Sequence, residues 1–353
     1  MTIPIQDKGF PLASIVITGK NEEDAIEKCI ISVLDQSYPN FEVIYIDSNS
    51  TDGTVKKALK MQDVSKGYMN CKRYLTLSGD SKTPGGGRNY GVKLAKGEII
   101  AFVDADCFPE RDWLEILIKY FSRNTMIVGG PNIHERSSCS KIGCAVLDVL
   151  ETFFGSGGSS QFLKIKKPAY VNAIPACNLA IEKKLFSAVG GFNEELRFNE
   201  DSDLCYRLRK AGHRILYLPQ AKVNHVSGIR SYRDFSRLFK EYGYHRGKNV
   251  VKYPWLLAKF NTFSIICTLF FLSLFATAIL ETTTRTFFIW LCILLLGVIF
   301  FASARIALMK RSPKLFLLAP FIYLTIYMVY NISFLFGYMI VTANRIKRTT
   351  NSL

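Results

Sequence analysis

The 353-residue sequence predicts an α/β fold: a mostly parallel central sheet flanked by helices, followed by C-terminal transmembrane helices. Three observations predict it. Short β-branched runs alternate with helical stripes through the first third of the chain, and strand–helix alternation builds parallel sheets. The acids and small polar residues that break this pattern fall just after the strands, where such sheets bind their ligands. From Phe263 onward the sequence is mostly apolar, while the preceding residues read as an ordinary globular domain.

Each element has its own signal. Ala13 to Thr18 is a β-branched run ending at Gly19, a buried strand. Asn21 to Gln36 carries Ala25, Cys29, Ile30, Val33 and Leu34 at helical spacing, with Glu22, Glu23 and Asp24 in its first turn. Phe41 to Ile46 is the second strand, and Thr51 to Gln62 a second helix with Thr51 or Asp52 as its cap. Tyr74 to Leu77 is a third strand, Arg88 to Ala95 a helix and Glu98 to Val103 a fourth strand. A helix from Arg111 to Phe121 follows, carrying Trp113, Leu114, Leu117 and Ile118. Residues 129–170 are Gly/Ser-rich in places and read as a flexible stretch that orders around substrate. A helix from Asp201 to Ala211 and short strands at 215–218 and 221–224 complete the globular part.

The net charge of +16 points to nucleic acid or to an anionic membrane surface, and its location chooses between them. Between Arg230 and Lys259 eight basic residues meet two acids, Asp234 and Glu241, directly before the first long apolar run. Basic residues in that position hold a span against anionic lipid and mark the cytoplasmic side. No nucleic-acid-binding module is recognisable, so nucleic acid is not an expected partner. Nine cysteines without a CxxC pair fit neither a disulfide framework nor a zinc site, and reduced cytosolic thiols are expected. The run Leu12 to Thr18 is too short for a signal peptide and has no basic start.

Three apolar segments occupy the C-terminal third: 263–280, 286–304 and 315–341. The first two are just long enough for about 30 Å of hydrocarbon, and the short connection suits a hairpin. The third is interrupted by Pro320 and Asn331 and either spans or lies in the interface. Basic clusters at 305–314 and 345–348 both favour the cytoplasm, and three full crossings would place the second outside. None of the segments carries an interior charge, which disfavours an ion or proton path.

Four signals carry chemistry. Asp104 and Asp106 end the run Ile99 to Val103; alternate residues of an extended chain point the same way, so both carboxylates can face one site. Hard oxygen donors there suit Mg²⁺ or Mn²⁺, which grips phosphate oxygens. A lone Asp-x-Asp is more often two solvated acids; the preceding strand and the companion motifs reverse that balance. His225 is either a packed residue or a third, imidazole ligand. Glu200 and Asp201 open a helix, which capping explains, or place a general base for a hydroxyl that must lose its proton. Gly85, Gly86 and Gly87 lead into Arg88, Asn89 and Gly91 at a helix start, where glycines, helix dipole and a guanidinium favour an anion. The Walker loop and the Gly-x-Gly-x-x-Gly turn of dinucleotide folds are both missing.

In this order the motifs of residues 11–230 resemble the inverting glycosyltransferases of family 2, which have the GT-A nucleotide-sugar-binding fold. Ser14 to Thr18 with Asn21 and Glu22 looks like the family's opening strand and nucleotide loop. Ser32 to Pro39 followed by Glu42 to Gly53 is the most specific stretch. The resemblance implies that Asp47 contacts the base, that Thr18, Asn21 and Glu22 line the nucleoside pocket, and that Asp104 and Asp106 form the metal motif. Gly190 to Glu194 and Glu200 to Arg207 look like the acceptor-side motif, with Asp201 as the base. Lys20 and Ser48 depart from the common pattern, and the Gln-x-x-Arg-Trp motif of processive synthases is missing. The segment Arg237 to Arg246 stands in its place, so single-sugar transfer is expected, with Glu200 and Arg246 on the acceptor side.

The expectation is a catalytic domain at 1–230, a basic amphipathic interfacial segment at 231–260, and a multi-pass membrane region at 261–353 with two or three spans. Tyr232 to Tyr244 carries Phe235, Leu238, Phe239 and Tyr242 at helical spacing and suits an interface or a core. The implied enzyme works from the cytoplasm. A divalent metal on Asp104, Asp106 and His225 holds a nucleotide-diphosphate-sugar, and Arg88 meets the leaving diphosphate. Asp201 activates a lipid-linked or glycan acceptor at the membrane lipid. A sugar-phosphate nucleotidyltransferase would want a basic glycine loop straight after strand one, where only Gly19 and Lys20 stand. A catalytically inactive membrane-tethered scaffold would not need the full acid set.

Overall fold

The structure, a computed structural model, describes residues 10–350 apart from 80, 122–124, 137–138, 158, 160–161, 163–164, 227 and 258, and leaves the side chains of 259–260 and 346–350 undescribed. The chain divides into two units. One comprises 1–135 and 160–226; the other comprises 136–159 and 227–353.

In chain order the first unit begins with β1 (Ala13–Gly19), α1 (Ile26–Leu34), β2 (Phe41–Asp47), α2 (Thr54–Ser65), β3 (Cys71–Ser78) and α3 (Pro84–Leu94). It continues with β4 (Ile99–Asp104), β5 (Cys107–Pro109), α4 (Trp113–Lys119), β6 (Ile127–Gly129) and β7 (Asn132–His134). The chain then passes through α5 (Lys141–Leu150) and α6 (Phe153–Ser156), which belong to the second unit. It returns with β8 (Ala169–Val171), β9 (Leu179–Glu182), α7 (Lys183–Ala188), α8 (Glu200–Lys210), β10 (Ile215–Tyr217) and β11 (Val223–His225).

Eight strands form one sheet in the order β3-β2-β1-β4-β9-β6-β10-β8, and β5-β11-β7 form a second, small sheet. The half built by β3, β2, β1 and β4 is parallel, as the alternating sequence predicts; β9 runs antiparallel to both β4 and β6. β1 is buried on both faces, which is why it reads as an unbroken apolar run rather than an alternating one. Ile15 and Ile17 face Cys29, Ile30, Val33 and Trp113 on one side, while Val16 packs with Ile44, Phe102 and Val92 on the other. α3 lies close on β1: a Cβ on Gly91 would stand 2.4 Å from Val16 Cγ1, so only glycine fits.

Helix boundaries shift where side chains make local bonds. α1 starts at Ile26 rather than Asn21, because Asn21 takes a left-handed φ of 58° and the next residues turn before the helix begins. α3 starts earlier than predicted: Thr83 Oγ1 accepts from the Gly86 N–H at 3.3 Å, so the glycines wind into the first turns of the helix.

The described part of 129–170, which the sequence suggests is a flexible stretch, carries β7, α5, α6 and β8. Ser140 Oγ accepts from Gly143 N–H to cap α5, and Thr152 Oγ1 accepts from Gly155 N–H to cap α6. The remaining seven residues of that stretch that bear on the expectation, 137–138, 158, 160–161 and 163–164, lie outside the described residues.

The second unit continues with α9 (Tyr232–Val250), α10 (Lys259–Leu280), α11 (Thr282–Met309), α12 (Pro313–Leu324) and α13 (Tyr330–Thr350). A π-helical turn, Thr325–Val329, joins α12 to α13. Among the described residues, three helical stretches are long and apolar enough to cross a membrane: Asn261–Leu280, Thr282–Met309 and Pro313–Arg345. α9 runs beside α13 at close range, since a Cβ on Gly243 or Gly247 would stand within 2.2 Å of Tyr330 O and 2.0 Å of Phe334 O respectively. Lys310, just past α11, pairs with Asp148 at 2.8 Å and with Glu151 at 2.6 Å. Of the tail cluster at 345–348, Lys347 and Arg348 have side chains outside the described set.

Candidate active site

Parallel register brings the carboxyl ends of β1, β2 and β4 to one rim. Thr18 stands opposite Asp104, and Gly19 opposite Asp47. The loops after β1 and β2 are sewn together there. Asn21 N–H donates to Ser50 Oγ and Asn21 Oδ1 accepts from Thr51 N–H, both at 2.8 Å. Glu22 N–H donates to Thr54 Oγ1 at 2.8 Å. Asp47 is 1% exposed and its carboxylate is occupied: Tyr45 Oη and Ser50 Oγ donate to Oδ1, and Ser50 N–H donates to Oδ2. In this structure it orders the loop that follows β2.

Arg88, expected from the sequence to meet the leaving diphosphate, is paired with two acids in this structure. It is 3% exposed, and its two terminal nitrogens fork between Asp104 Oδ1 at 2.6 Å and Glu200 Oε1 at 2.9 Å. α3 brings Arg88 to the rim and α8 brings Glu200, so the guanidinium bridges two acids that no single element could join. Burial would lower the Arg88 pKa, but Asp104 and Glu200 raise it above its ordinary value. Burial pushes the Glu200 carboxyl up, to about 7, against the pull of Arg88. Asp201 is the next residue, at the start of α8, where its Oδ1 accepts from Ser202 N–H at 2.6 Å.

The second sheet delivers the rest. β11 pairs with β5 and β7, and His225 stands in register with both Cys107 and His134. His225 Nε2 lies 3.2 Å from Asp106 Oδ2, and its Nδ1 lies 3.3 Å from His134 Nδ1. Burial would lower the His225 pKa, yet the hydrogen bond and charge of Asp106 raise it to about 9. Burial would raise Asp106, and the same imidazole holds it below its ordinary value. Glu22 is pushed up to about 7 by burial and by the neighbouring Asp106 and Asp104. Glu22, Asp104, Asp106 and His225 therefore form one electrostatically coupled group.

The donor set fits a hard divalent cation. Asp106, Cys107 and His225 offer ligand atoms within 4.8 Å of one another. Burial pushes the Cys107 thiol well up, and its Sγ donates to Asp106 Oδ1 at 3.5 Å. Asp106 and His225 supply a carboxylate and an imidazole, donors Mg²⁺ and Mn²⁺ accept; Asp104 lies outside this group and is held by Arg88.

Sequence motifs missed one contributor, His134, and gave no partner for two others, Asn89 and Arg207. His134 carries no local signal; only the pairing of β7 with β11 sets it beside His225. Asn89 clamps the Gly190–Glu194 turn by donating to Phe192 O and Glu194 Oε1 and accepting from Phe192 N–H. Arg207 pairs with Asp203 and donates to Val189 O and Gly191 O, so these motif residues hold a turn rather than a ligand. Arg246, expected on the acceptor side, belongs to the second unit, on α9.

A mostly parallel sheet whose rim gathers an Asp-x-Asp pair, a histidine and an acidic helix start defines a GT-A-type transferase. Residues 14–142 match the model of glycosyl transferase family 2, and residues 146–304 that of glycosyl transferase family group 2. Glycosyltransferase AglE of Haloferax volcanii is 25% identical over 262 residues, covering 71% of this chain and 77% of the relative. The pre-mycofactocin glycosyltransferase of Mycobacterium tuberculosis is 31% identical over 145 residues, 41% of this chain and 30% of that one. The mannosyltransferase PcManGT of Pyrobaculum calidifontis, solved with GDP-Man and Mn²⁺, shares the fold over 98% of this chain and 89% of its own, with a TM-score of 0.54 and 19% identity. The chain belongs to glycosyltransferase family 2, and it is an enzyme that transfers sugar from a nucleotide-sugar donor.

Proposed function

We propose that this chain is a metal-dependent, inverting transferase that moves a single sugar from a nucleotide-diphosphate-sugar to a hydroxyl or phosphate acceptor at the membrane, in lipid-linked form, with its catalytic domain (residues 1–230) in the cytoplasm. The observation that carries this reading is the Arg88 fork, which joins Asp104 of the Asp-x-Asp pair to Glu200 beside Asp201. Asp104, Asp106 and His225 would hold Mg²⁺ or Mn²⁺, which when bound offsets the charge of the departing diphosphate. His134 Nδ1 faces His225 Nδ1 and would hold the ring in place when a cation takes over the Nε2 position that is hydrogen-bonded to Asp106 in this structure. Thr18, Asn21, Glu22 and Asp47 order the nucleoside end of the site. Arg88 aligns the first Asp rather than touching the diphosphate.

Asp201 takes the proton of the acceptor hydroxyl. The freed oxygen attacks the anomeric carbon as the bond to the diphosphate breaks on the opposite face, so configuration inverts. The test is Asp201→Asn in the full chain. Transfer should fall about 10²- to 10⁴-fold while nucleotide binding and the melting temperature hold. Full transfer by that variant would remove Asp201 as the base.

We read the membrane region as a two-crossing hairpin, with Pro313–Arg345 lying along the face at which the first span enters. Two features support this. The third stretch is buried over 44% of its most apolar window, against 17% and 6% for the other two. It also packs lengthwise against α9, whose Arg233, Arg237, Lys240 and Lys248 cannot enter hydrocarbon at about 2.5–3.5 kcal/mol each. This arrangement keeps Arg345 and the 305–314 cluster on the cytoplasmic side. A reporter fused at the C-terminus should report the same side as the N-terminus; opposite sides would mean three crossings.

A further inference from the structure

The second unit contains a cavity of about 610 Å³ lined by Val251, Lys252, Val341, Asn344 and Arg345. It forms where α9 ends beside α13, which runs the same way and continues past it. Gly243 backs onto Tyr330 and Gly247 onto Phe334, so the end of α9 arrives beside 341–345 of α13.

Its level relative to a bilayer follows from neighbouring contacts. Lys252 shortly precedes Asn261, where the first apolar span begins, and Pro254–Leu256 is wound into a 3₁₀ turn between them. The mouth of that span is fastened to the same long helix. Asn261 Nδ2 donates to Tyr330 Oη at 2.8 Å, and Asn331 Nδ2 donates to Ser264 Oγ at 2.7 Å and Thr268 Oγ1 at 2.8 Å. The charges of α9 hold this helix pair at the polar boundary. Tyr253 and Trp255 stand edge to face at 5.4 Å next to Lys252, with Trp255 38% exposed, the kind of ring pair that prefers the headgroup layer.

The lining is two-natured. Lys252 and Arg345 bring two positive charges and Asn344 an amide, while Val251 and Val341 give an apolar wall. A free phosphate ion gains nothing from valine. A phosphate carried on a hydrocarbon chain uses both halves. We propose that this cavity seats the phosphate headgroup of an anionic membrane lipid, with Lys252 and Arg345 towards the phosphate oxygens and Val251 and Val341 against the first carbons of the chain.

Native mass spectrometry of the full chain in detergent micelles tests this, with phosphatidylglycerol and phosphatidylcholine as probes. The wild-type chain should retain phosphatidylglycerol about thirtyfold more strongly than phosphatidylcholine, the preference two basic residues supply. Lys252→Glu with Arg345→Glu should bring the two lipids to parity. Val341→Trp keeps both cations and puts a bulky ring where the first carbons of the chain would lie, and should lower the preference too. Millimolar inorganic phosphate should leave phosphatidylglycerol bound. A wild-type chain with no preference would overturn the proposal without any variant. So would a folded Val341→Trp chain that keeps the preference, or displacement by inorganic phosphate, which would mark a free-anion site.

Discussion

Arg88 and Glu200 meet at 2.9 Å across 112 residues of sequence, and the other end of the same guanidinium holds Asp104 at 2.6 Å. One buried cation thus sets the spacing between the Asp-x-Asp end of the site and the acidic start of α8. The consequence is testable. Arg88→Ala leaves two carboxylates without their shared partner and should cost about 3–5 kcal/mol of stability. Arg88→Lys keeps the charge but cannot fork, and should fall between Ala and wild type. Thermal unfolding of the three chains checks the order; an Arg88→Ala chain as stable and active as wild type would refute the fork's role.

His134 is predicted to matter to metal affinity although it is not proposed as a ligand. Replacing it with Phe removes the partner of His225 Nδ1 and frees the imidazole to rotate. The Mn²⁺ concentration giving half-maximal nucleotide release should rise about 10- to 100-fold, the usual cost of losing such a partner. Chelation with EDTA should abolish release, and Mn²⁺ or Mg²⁺ should restore it. An unchanged Mn²⁺ requirement in His134→Phe would show that His225 is oriented by other contacts.

Glu42 predicts an acid-side loss of stability. Burial would raise its carboxyl, but hydrogen bonds from Ser14 and Lys96 N–H and the Arg73 pair hold it below its ordinary value. A carboxyl depressed in the folded chain contributes stability above its unfolded pKa of about 4.3 and loses it as pH falls through the folded value. Glu42→Gln should therefore be about 1–3 kcal/mol less stable at neutral pH. The gap should close as pH drops below about 4. Melting temperatures across that range decide it, and a gap that widens in acid would contradict the assignment.

The α9–α13 contact is predicted to be intolerant of side chains. A Cβ at Gly247 would stand 2.0 Å from Phe334 O, and one at Gly337 would stand 2.2 Å from Tyr244 O. Gly247→Leu must push the two helices apart and should lower stability by about 1–3 kcal/mol or more. Gly297 has open space around it and should accept Ala at little cost. Thermal unfolding in detergent compares the two; equal melting temperatures would mean the helices are not closely apposed.

The order of strands and helices, the rim position of Asp47, Asp104 and Asp106, and the apolar helices were legible in the sequence. Periodicity and end signals are local, and they report which face of an element is buried and where the chain turns. His225 was legible as a candidate because it closes a short strand. Partnership was not. Nothing near Arg88 says that it will pair with acids on two different elements. His134 became visible only when β7 and β11 paired. The Gly/Ser-rich composition around 155 hid two capped helices, because caps depend on single side chains rather than on composition.

Taken by itself, the amino-acid order determined the alternating architecture, the chemistry available at the strand ends and the attraction to a membrane, since all three rest on neighbours within a few turns of chain. Tertiary structure alone decided which acids share Arg88, which imidazole stands behind His225, and that residues 136–159 fold with the second unit. The physical reason is distance along the chain. Contacts between residues a hundred positions apart are set by how the sheet closes and the helices pack, and no local pattern encodes that path.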